Sequence, residues 1–315
     1  APFRGGPPGP GGPGGGVRAL LGGGGGFHGG GGGHRGGAGV EALVAAGAVE
    51  LAHPRALADW AEVVVLCLPT SEAVEAVVTG RGGLLDSGKG VLTVVDCTSA
   101  DPASTRRLHA QLASRGWSLV DAPLTRTPKE AAEGRLNALV GAEPEALARV
   151  QPVLEAFCEN IFPVGPPGSG HALKLVNNFI SLGTAALLAE ALTVATKAGV
   201  DLAALRTVVS AGGANSNTFQ KLTAWLLDGD EAGFQFTLAN AAKDVGYYRR
   251  LAETVAGPKA LVEAVDARYQ ALTPGREGQF VPRLVAALAR EYDVVLGPPT
   301  SFDQAGGRGP DSEQK

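Results

Sequence analysis

One stretch near the middle of the chain constrains its fold more than any other. Residues 172–198 contain no proline and end at Gly199, and they follow a turn at 165–170 that is rich in glycine and proline. A glycine just past the last periodic residue is typical of a helix C-terminus. A helix of this length would measure about 40 Å, which is long for a globular protein. The stretch therefore predicts one long helix.

The first turns of this helix carry polar side chains on one side. Lys174, Asn177 and Asn178 lie three and four residues apart, so all three project from the same side. A broad apolar face accompanies them, made of Leu173, Val176, Ile180, Leu187, Leu188, Ala191, Val194 and Ala195. A solvated helix start would explain the polar residues, and so would a site at the helix N-terminus, where the macrodipole favours anions.

Composition excludes several classes of protein. The chain has 315 residues, 44% hydrophobic and 18% charged, which is enough for one large or two medium domains. Its net charge of −4 and the lack of a basic block argue against a nucleic-acid partner. Without a run of 18 apolar residues or a signal-peptide core, we expect no membrane span and a cytoplasmic protein. Three dispersed cysteines, expected to be buried thiols, fit no metal or disulfide pattern: Cys67, Cys97 and Cys158.

Strands alternate with helices from about residue 40 to residue 164. The runs EVVVLCL at 62–68 and GVLTVVDC at 90–97 are typical of strands buried on both faces of a parallel sheet. Further strands are predicted at 118–121, 136–141 and 160–164, and helices at 71–78 with Ser71 as N-cap, 102–115 and 144–157. The pattern predicts a doubly wound α/β domain over residues 1–164. An all-α domain is expected over 165–297 and a disordered tail over 298–315.

Residues 1–39 do not follow this pattern. Twenty-one of them are glycine and five are proline, which leaves too few side chains for a strand or a helix core. A G-x-G-x-x-G match at Gly9, Gly11 and Gly14 is expected by chance in such a stretch, and no predicted strand precedes it.

The motifs after residue 40, taken in order, resemble those of the β-hydroxyacid dehydrogenases, the group of 3-hydroxyisobutyrate dehydrogenase, which is related to 6-phosphogluconate dehydrogenase. The resemblance covers about residues 40–296. Leu68-Pro69 follows a buried strand, and residues 96–99 resemble the family's Asp-x-Ser-Thr. Asp121-Ala-Pro opens the substrate loop, residues 170–178 resemble the family's Gly-x-x-x-Lys-x-x-Asn-Asn, and Lys243-Asp244 is a further match.

The resemblance implies a Rossmann-type oxidoreductase that uses NAD or NADP to interconvert a small acidic 3-hydroxy compound and its semialdehyde. Lys174 would be the general acid–base, and Asn177 and Asn178 would hold the substrate. Cofactor contacts would come from Leu68, Pro69, Thr98, Ser99 and Lys243, and from a fingerprint that counting places at Gly11, Gly14 and Gly16. No metal is implied. The long helix would link the domains, with the site in the cleft between them. The resemblance also implies a homodimer or homotetramer that uses the helical domain as its interface.

The substrate loop departs from the commonest family pattern. Many relatives have Ser-Gly-Gly where this chain has Thr125-Arg126-Thr127, a sequence similar to that of sulfolactaldehyde reductase, in which the arginine meets a sulfonate. The guanidinium offers a planar fork of donors to an acid, although Arg126 could instead pair with a nearby acid such as Glu130. A non-catalytic family member also stays open, because no first strand is legible within residues 1–39.

Overall fold

The computed structural model of the chain describes residues 19–22, 44–45 and 47–296. The strands are β1 (Ala19–Gly22), β2 (Val63–Leu66), β3 (Thr93–Asp96), β4 (Ser118–Asp121), β5 (Leu124–Thr125), β6 (Leu136–Gly141) and β7 (Cys158–Gly165). The helices up to residue 154 are α1 (Pro54–Trp60), α2 (Ser71–Thr79), α3 (Pro102–Ala113), α4 (Pro128–Ala132) and α5 (Pro144–Leu154). They are followed by α6 (Ser169–Lys197), α7 (Leu202–Ser210), α8 (Asn217–Asp228), α9 (Leu238–Thr254), α10 (Ala260–Leu272) and α11 (Arg283–Arg290). The predicted tail at 298–315 lies outside the described residues.

The strands form one mixed sheet in the order β1-β2-β3-β4-β6-β5, with β7 beside β6. β1 to β4 run parallel, as predicted. The expectation of a parallel sheet is wrong at β6, which runs antiparallel to β4 and β5. A parallel return needs a crossover, usually through a helix. The short segment between β4 and β6 is occupied by β5 and the five-residue α4, so the chain reverses instead.

Two apolar layers cover the two faces of this sheet, which confirms the doubly wound architecture. Val64, Leu66 and their neighbours pack against α1, α2 and α3 on one face. Val63 and Val65 pack against α5 on the other. Alternate residues of one strand therefore enter different layers, and burial of each large side chain contributes about 1.5–3 kcal/mol. This two-sided burial explains the continuous apolar runs in the sequence.

A strand lies inside the glycine-rich N-terminal region, where none was expected. β1 pairs with β2 in parallel register, Ala19 opposite Val63 and Gly22 opposite Leu66. The segment Ala19-Leu20-Leu21 supplies three consecutive apolar residues, and hydrogen bonding to β2 compensates for its weak strand signal. Gly11, Gly14 and Gly16 precede this strand and lie outside the described residues.

The start of α2 differs by one residue from the prediction. Thr70, not Ser71, is the N-cap, and its Oγ1 accepts a hydrogen bond from the backbone N–H of Ala73 at 3.2 Å. The hydroxyl of Ser71 instead accepts from the backbone N–H of Asp101 at 2.7 Å. A side chain engaged by the neighbouring loop cannot cap its own helix, and the preceding threonine takes that role.

The described chain divides into two compact units. The first extends through Asn178 and also includes residues 247–258, and the second comprises residues 179–246 and those from 259 onward. The predicted boundary at 164/165 therefore falls earlier than the observed one, because the first ten residues of α6 pack with the sheet. In the second unit the described residues form helices joined by loops, with one bridge between Thr237 and Phe280, in line with the all-α prediction.

Helix α6 buries a different side from the one that its most hydrophobic residues mark. Leu175, Leu182 and Leu192 are buried, whereas Ile180, Leu187 and Val194 are 65%, 68% and 60% exposed. Apolar residues occur all around this helix, so hydrophobicity alone does not select the buried side. Among the described residues, this 29-residue helix is long and apolar enough to cross a membrane by length and composition alone. Its inner side nevertheless packs against protein: the hydroxyl of Tyr269 donates to the carbonyl of Leu182 at 3.1 Å.

Candidate active site

Lys174 is held inside the first unit. Lys174 is only 8% exposed, and its Nζ donates to the carbonyl oxygen of Leu124 at 2.8 Å. Leu124 lies in β5, within the predicted substrate loop, so the structure brings the helix lysine and that loop together. A buried ammonium is unfavourable without hydrogen bonds. A solvated helix start therefore does not explain Lys174.

The two asparagines divide between the inner and outer sides of α6. Asn178 follows Lys174 by four residues and is 9% exposed, so both lie on the buried side. Asn177 is exposed, and its Nδ2 donates to the Oδ1 of Asn178 at 3.3 Å. Asn178 is thus the amide beside Lys174, and Asn177 can act on the site through Asn178.

The substrate loop has a strained residue at Arg126. Its φ of 83° lies in the left-handed region that favours glycine, which is consistent with the glycine that many relatives have there. Its guanidinium pairs with Glu159 and donates to the carbonyl of Arg135. The proposed pairing of Arg126 with Glu130 is not observed, because Glu130 accepts from the N–H and the hydroxyl of Thr127.

These contacts change the pKa of two carboxyl groups beside the loop, those of Glu159 in β7 and Glu130 in α4. The hydrogen bond from Arg126 holds the pKa of Glu159 below its usual value, with the charges of Arg126 and Arg135 adding to the effect. Hydrogen bonds from Thr127 likewise lower the pKa of Glu130. Arg126 and Thr127 therefore have protein partners in this structure, and Thr125 lies half-buried in β5 opposite Asn137.

The loops after β2 and β3 meet at the carboxyl edge of the sheet. Thr98 joins them, because its Oγ1 accepts from the backbone N–H of Leu68 at 3.0 Å. Pro69 is exposed beside this bond and Ser99 is half-buried. Gly22, opposite Leu66, ends β1 at the same edge. Small residues and a glycine at the ends of adjacent parallel strands suit a dinucleotide, whose phosphates require close backbone approach.

Sequence reasoning missed an aromatic residue that supports this edge. The hydroxyl of Tyr247 accepts from the backbone N–H of Ser71 at 3.1 Å and donates to Glu72 at 3.2 Å. The guanidinium of Arg250 lies 4.6 Å from the centre of the Tyr247 ring and 3.4 Å from Asp101. Tyr247 follows Lys243 by four residues, and residues at this spacing lie on the same side of a helix. This spacing from a predicted cofactor residue was the sequence signal that could have identified Tyr247. Lys243 itself lies in the second unit and pairs with Asp244 at 3.1 Å.

Two buried carboxyl groups flank the start of α6. His171 lies between them, with its Nε2 4.0 Å from the Oδ2 of Asp96 and its Nδ1 3.9 Å from the Oδ2 of Asp121. Its Nδ1 is also 2.7 Å from the hydroxyl of Thr105. Burial raises the pKa of Asp96, against the opposing effects of His171 and Thr98. The family motifs contain both aspartates, but sequence reasoning gave neither a role.

The fold and the site define a dinucleotide-binding α/β protein with a lysine-bearing helix. The family model for the NAD binding domain of 6-phosphogluconate dehydrogenase matches residues 34–165. The model described as NAD-binding of NADP-dependent 3-hydroxyisobutyrate dehydrogenase matches residues 168–280. The two matches lie end to end along the chain, in the order predicted for the Rossmann-type and helical domains.

Comparison with individual proteins identifies the family. The chain is 33% identical to 2-(hydroxymethyl)glutarate dehydrogenase of Eubacterium barkeri, over 66% of this chain and 69% of that protein. It is 31% identical to 3-sulfolactaldehyde reductase of Escherichia coli, over 76% and 81%. The chain belongs to the β-hydroxyacid dehydrogenase family, which confirms the predicted family, enzyme class and NAD or NADP cofactor.

The fold comparison agrees with this assignment. The structure of Mycobacterium tuberculosis 3-hydroxyisobutyrate dehydrogenase with L-serine superposes with a TM-score of 0.71 at 23% identity, over 79% of this chain and 86% of that one. At that identity the likeness concerns the fold.

Proposed function

We propose that this protein interconverts a small acidic 3-hydroxy compound and its semialdehyde, with Lys174 as the general acid–base. The observation that supports this most is the buried Nζ of Lys174, hydrogen-bonded to Leu124 of the substrate loop, with Asn178 one turn further along α6. A bound nicotinamide would donate or accept the hydride. Lys174 would give a proton to the forming alkoxide during reduction and take it back during oxidation.

Replacement of Lys174 tests this proposal. Lys174→Ala should lower kcat by about 10²–10⁴-fold, the usual contribution of a general acid–base, while cofactor binding by calorimetry is retained. Lys197→Ala is a matched control, because Lys197 lies on the same helix and also donates to a backbone carbonyl, that of Tyr292, at 2.8 Å. We expect that control to keep the wild-type kcat. Turnover of Lys174→Ala within about threefold of wild type would remove the role assigned to it.

We infer that the substrate's acid group binds at the loop formed by Thr125, Arg126 and Thr127, with Asn178 and Asn177 holding the remainder. Arg126 would then share its donors between Glu159 and the acid. Arg126→Ala should raise KM with little effect on kcat, because uniform binding energy is lost. Glu159→Gln keeps the size of that side chain and removes its charge, which weakens its hold on Arg126, so the KM of this variant should be no higher than that of wild type. An unchanged KM in Arg126→Ala would limit Arg126 to its pairing with Glu159.

A sulfolactaldehyde-type reductase is the second candidate, and Arg126 is the observation that favours it. A guanidinium in the substrate loop suits a sulfonate as well as a carboxylate. Rates with paired sulfonate and carboxylate semialdehydes, each with NADH and NADPH, would separate the two candidates and the two cofactors. A non-catalytic family member is disfavoured by β1, which supplies a strand where the cofactor site needs one. Calorimetry with both cofactors tests that alternative.

We also propose a cytoplasmic homo-oligomer that pairs through the helical unit. Ile180, Leu187 and Val194 are exposed on α6 at intervals of seven residues, an apolar seam typical of helix pairing. Light scattering should give a dimer or tetramer for the wild type. Leu187→Glu, in the middle of the seam, should shift it to a smaller species, and an unchanged mass would exclude this seam as the interface.

A further inference from the structure

The start of α6 is capped by a residue 47 positions earlier in the chain. The N–H of Ala172 donates to the carbonyl of Gly168 at 3.1 Å, so Gly168 holds the N-cap position. Glycine has no side chain that could accept a bond from the helix. Asp121, the last residue of β4, does so instead: its Oδ1 accepts from the N–H of Gly168 at 2.6 Å, and its Oδ2 from the N–H of His171 at 2.8 Å. One carboxylate thus satisfies both donors of a capping box.

The surroundings of Asp121 leave its carboxylate a single position. The side chain is fully buried, at the positive end of the α6 dipole. A Cβ added to Gly141 would lie 2.5 Å from its Oδ1. A Cβ added to Gly170 would lie 2.9 Å from its Oδ2 and 2.3 Å from the carbonyl oxygen of Leu139. The two glycines therefore let the helix start approach β4 and β6 closely enough for the carboxylate to bridge them.

The same segment of chain also holds the side chain of Lys174. Leu124, whose carbonyl accepts from the Nζ of Lys174, lies three residues after Asp121. Lys174 lies six residues after Gly168, less than two helical turns. Residues 121–124 therefore fix both the backbone from which Lys174 projects and the position of its ammonium group.

We propose that Asp121 is a positioning residue for proton transfer by Lys174. It fixes the start of α6 against the substrate loop, and it touches neither substrate nor cofactor. The inference rests on the proposed role of Lys174. A displacement of about 1 Å at a reacting group can lower the rate about 100-fold. Loss of the cap should therefore reduce the rate of the chemical step and leave substrate and cofactor affinity nearly unchanged.

Asp121→Asn tests this, because it keeps the shape of the side chain and one acceptor but places an amide donor against a backbone N–H. In a stopped-flow single turnover, its rate constant should fall by about 10–100-fold with an unchanged amplitude, and KM should stay within about threefold. Hydrogen exchange of residues 168–171 should be faster. Asp201→Asn is the matched control: Asp201 caps α7 through the N–H of Ala204 at 2.7 Å, and the same change of side chain there should leave the rate constant unchanged.

A second variant guards against simple misfolding. Gly141→Ala keeps the charge of Asp121 but displaces its carboxylate, and it should lower the rate constant in the same way. If the single-turnover amplitude falls in both variants while the single-turnover rate constant stays at the wild-type value, Asp121 only stabilises the fold and the proposal is overturned. A rate constant within threefold of wild type in Asp121→Asn overturns it too. Lys174→Ala distinguishes failure of this inference from failure of the proposed function. If Lys174→Ala is inactive and Asp121→Asn is fully active, only the positioning role is refuted. If Lys174→Ala is active, the proposed function is refuted.

Discussion

Gly170 offers the sharpest test of how α6 is held, because helix propensity and packing predict opposite effects of replacing it. An added Cβ would lie 2.3 Å from the carbonyl oxygen of Leu139, about 1 Å short of ordinary van der Waals contact. The neighbour is backbone, so the helix start itself has to move. Overpacking of this kind costs about 1–3 kcal/mol, against a gain of up to about 1 kcal/mol from alanine in a helix. We expect Gly170→Ala to lose about 1–2 kcal/mol of unfolding free energy.

The same movement should reach Lys174, four residues further along the helix. A shift of about 1 Å predicts a loss of about 100-fold in kcat, measured from cofactor absorbance, with stability from urea unfolding. Gly183→Ala on the same helix is the control. Its Cβ would meet the Phe179 ring at 3.7 Å, an ordinary contact, so it should be about 0.5–1 kcal/mol more stable than wild type with unchanged kcat. Equal behaviour of the two variants would refute the close packing derived for Gly170.

Three further predictions follow from the contacts described above. Arg126→Gly should have a free energy of unfolding about 1 kcal/mol higher than that of Arg126→Ala in urea, because only glycine adopts the left-handed backbone without strain. The reverse order would contradict the φ of 83°. Tyr247→Phe leaves the buried N–H of Ser71 without its acceptor, so it should cost about 1–3 kcal/mol and weaken cofactor binding by calorimetry; unchanged values of both would show that the bond contributes nothing. The raised pKa of Asp96 means that its contribution to stability is full below its unfolded value, near pH 3.9, and is lost as pH rises through the folded value. As the pH rises above about 4, Asp96→Asn should therefore lose less stability than wild type in urea unfolding, and parallel curves would exclude this assignment.

Patterns within a few residues of one another predicted much of the fold. The strands at 118–121 and 136–141 have the predicted bounds, because each combines a short apolar pattern with clear ends. β5 has two residues and therefore no periodicity, so the reversal at β6 had no signal. β1 was missed because its three apolar residues lie within a glycine-rich stretch that gives no side-chain pattern, and the strand depends on pairing with β2.

The candidate site could be predicted only at residues that match a family motif. Lys174 and Asn178 were selected in this way, and both are buried, while their roles stay predictions. The pairing of Arg126 with Glu159 and the cap supplied by Asp121 join residues 33 and 47 positions apart. Local spacing contains no information about such contacts. The buried side of α6 was also missed, because apolar residues surround that helix and two of its polar residues, Lys174 and Asn178, lie on the inner side.

The cap from Asp121 separates two events in the folding of this chain. The turns of α6 depend on bonds between residues four apart and can form early and locally. The position of Lys174 depends on bonds that span 47 and 50 residues, which close only after β4 has docked against the helix. Contacts of high sequence separation form slowly. In a refolding experiment, helical content should therefore return before activity, and the interval between them measures the docking of one strand.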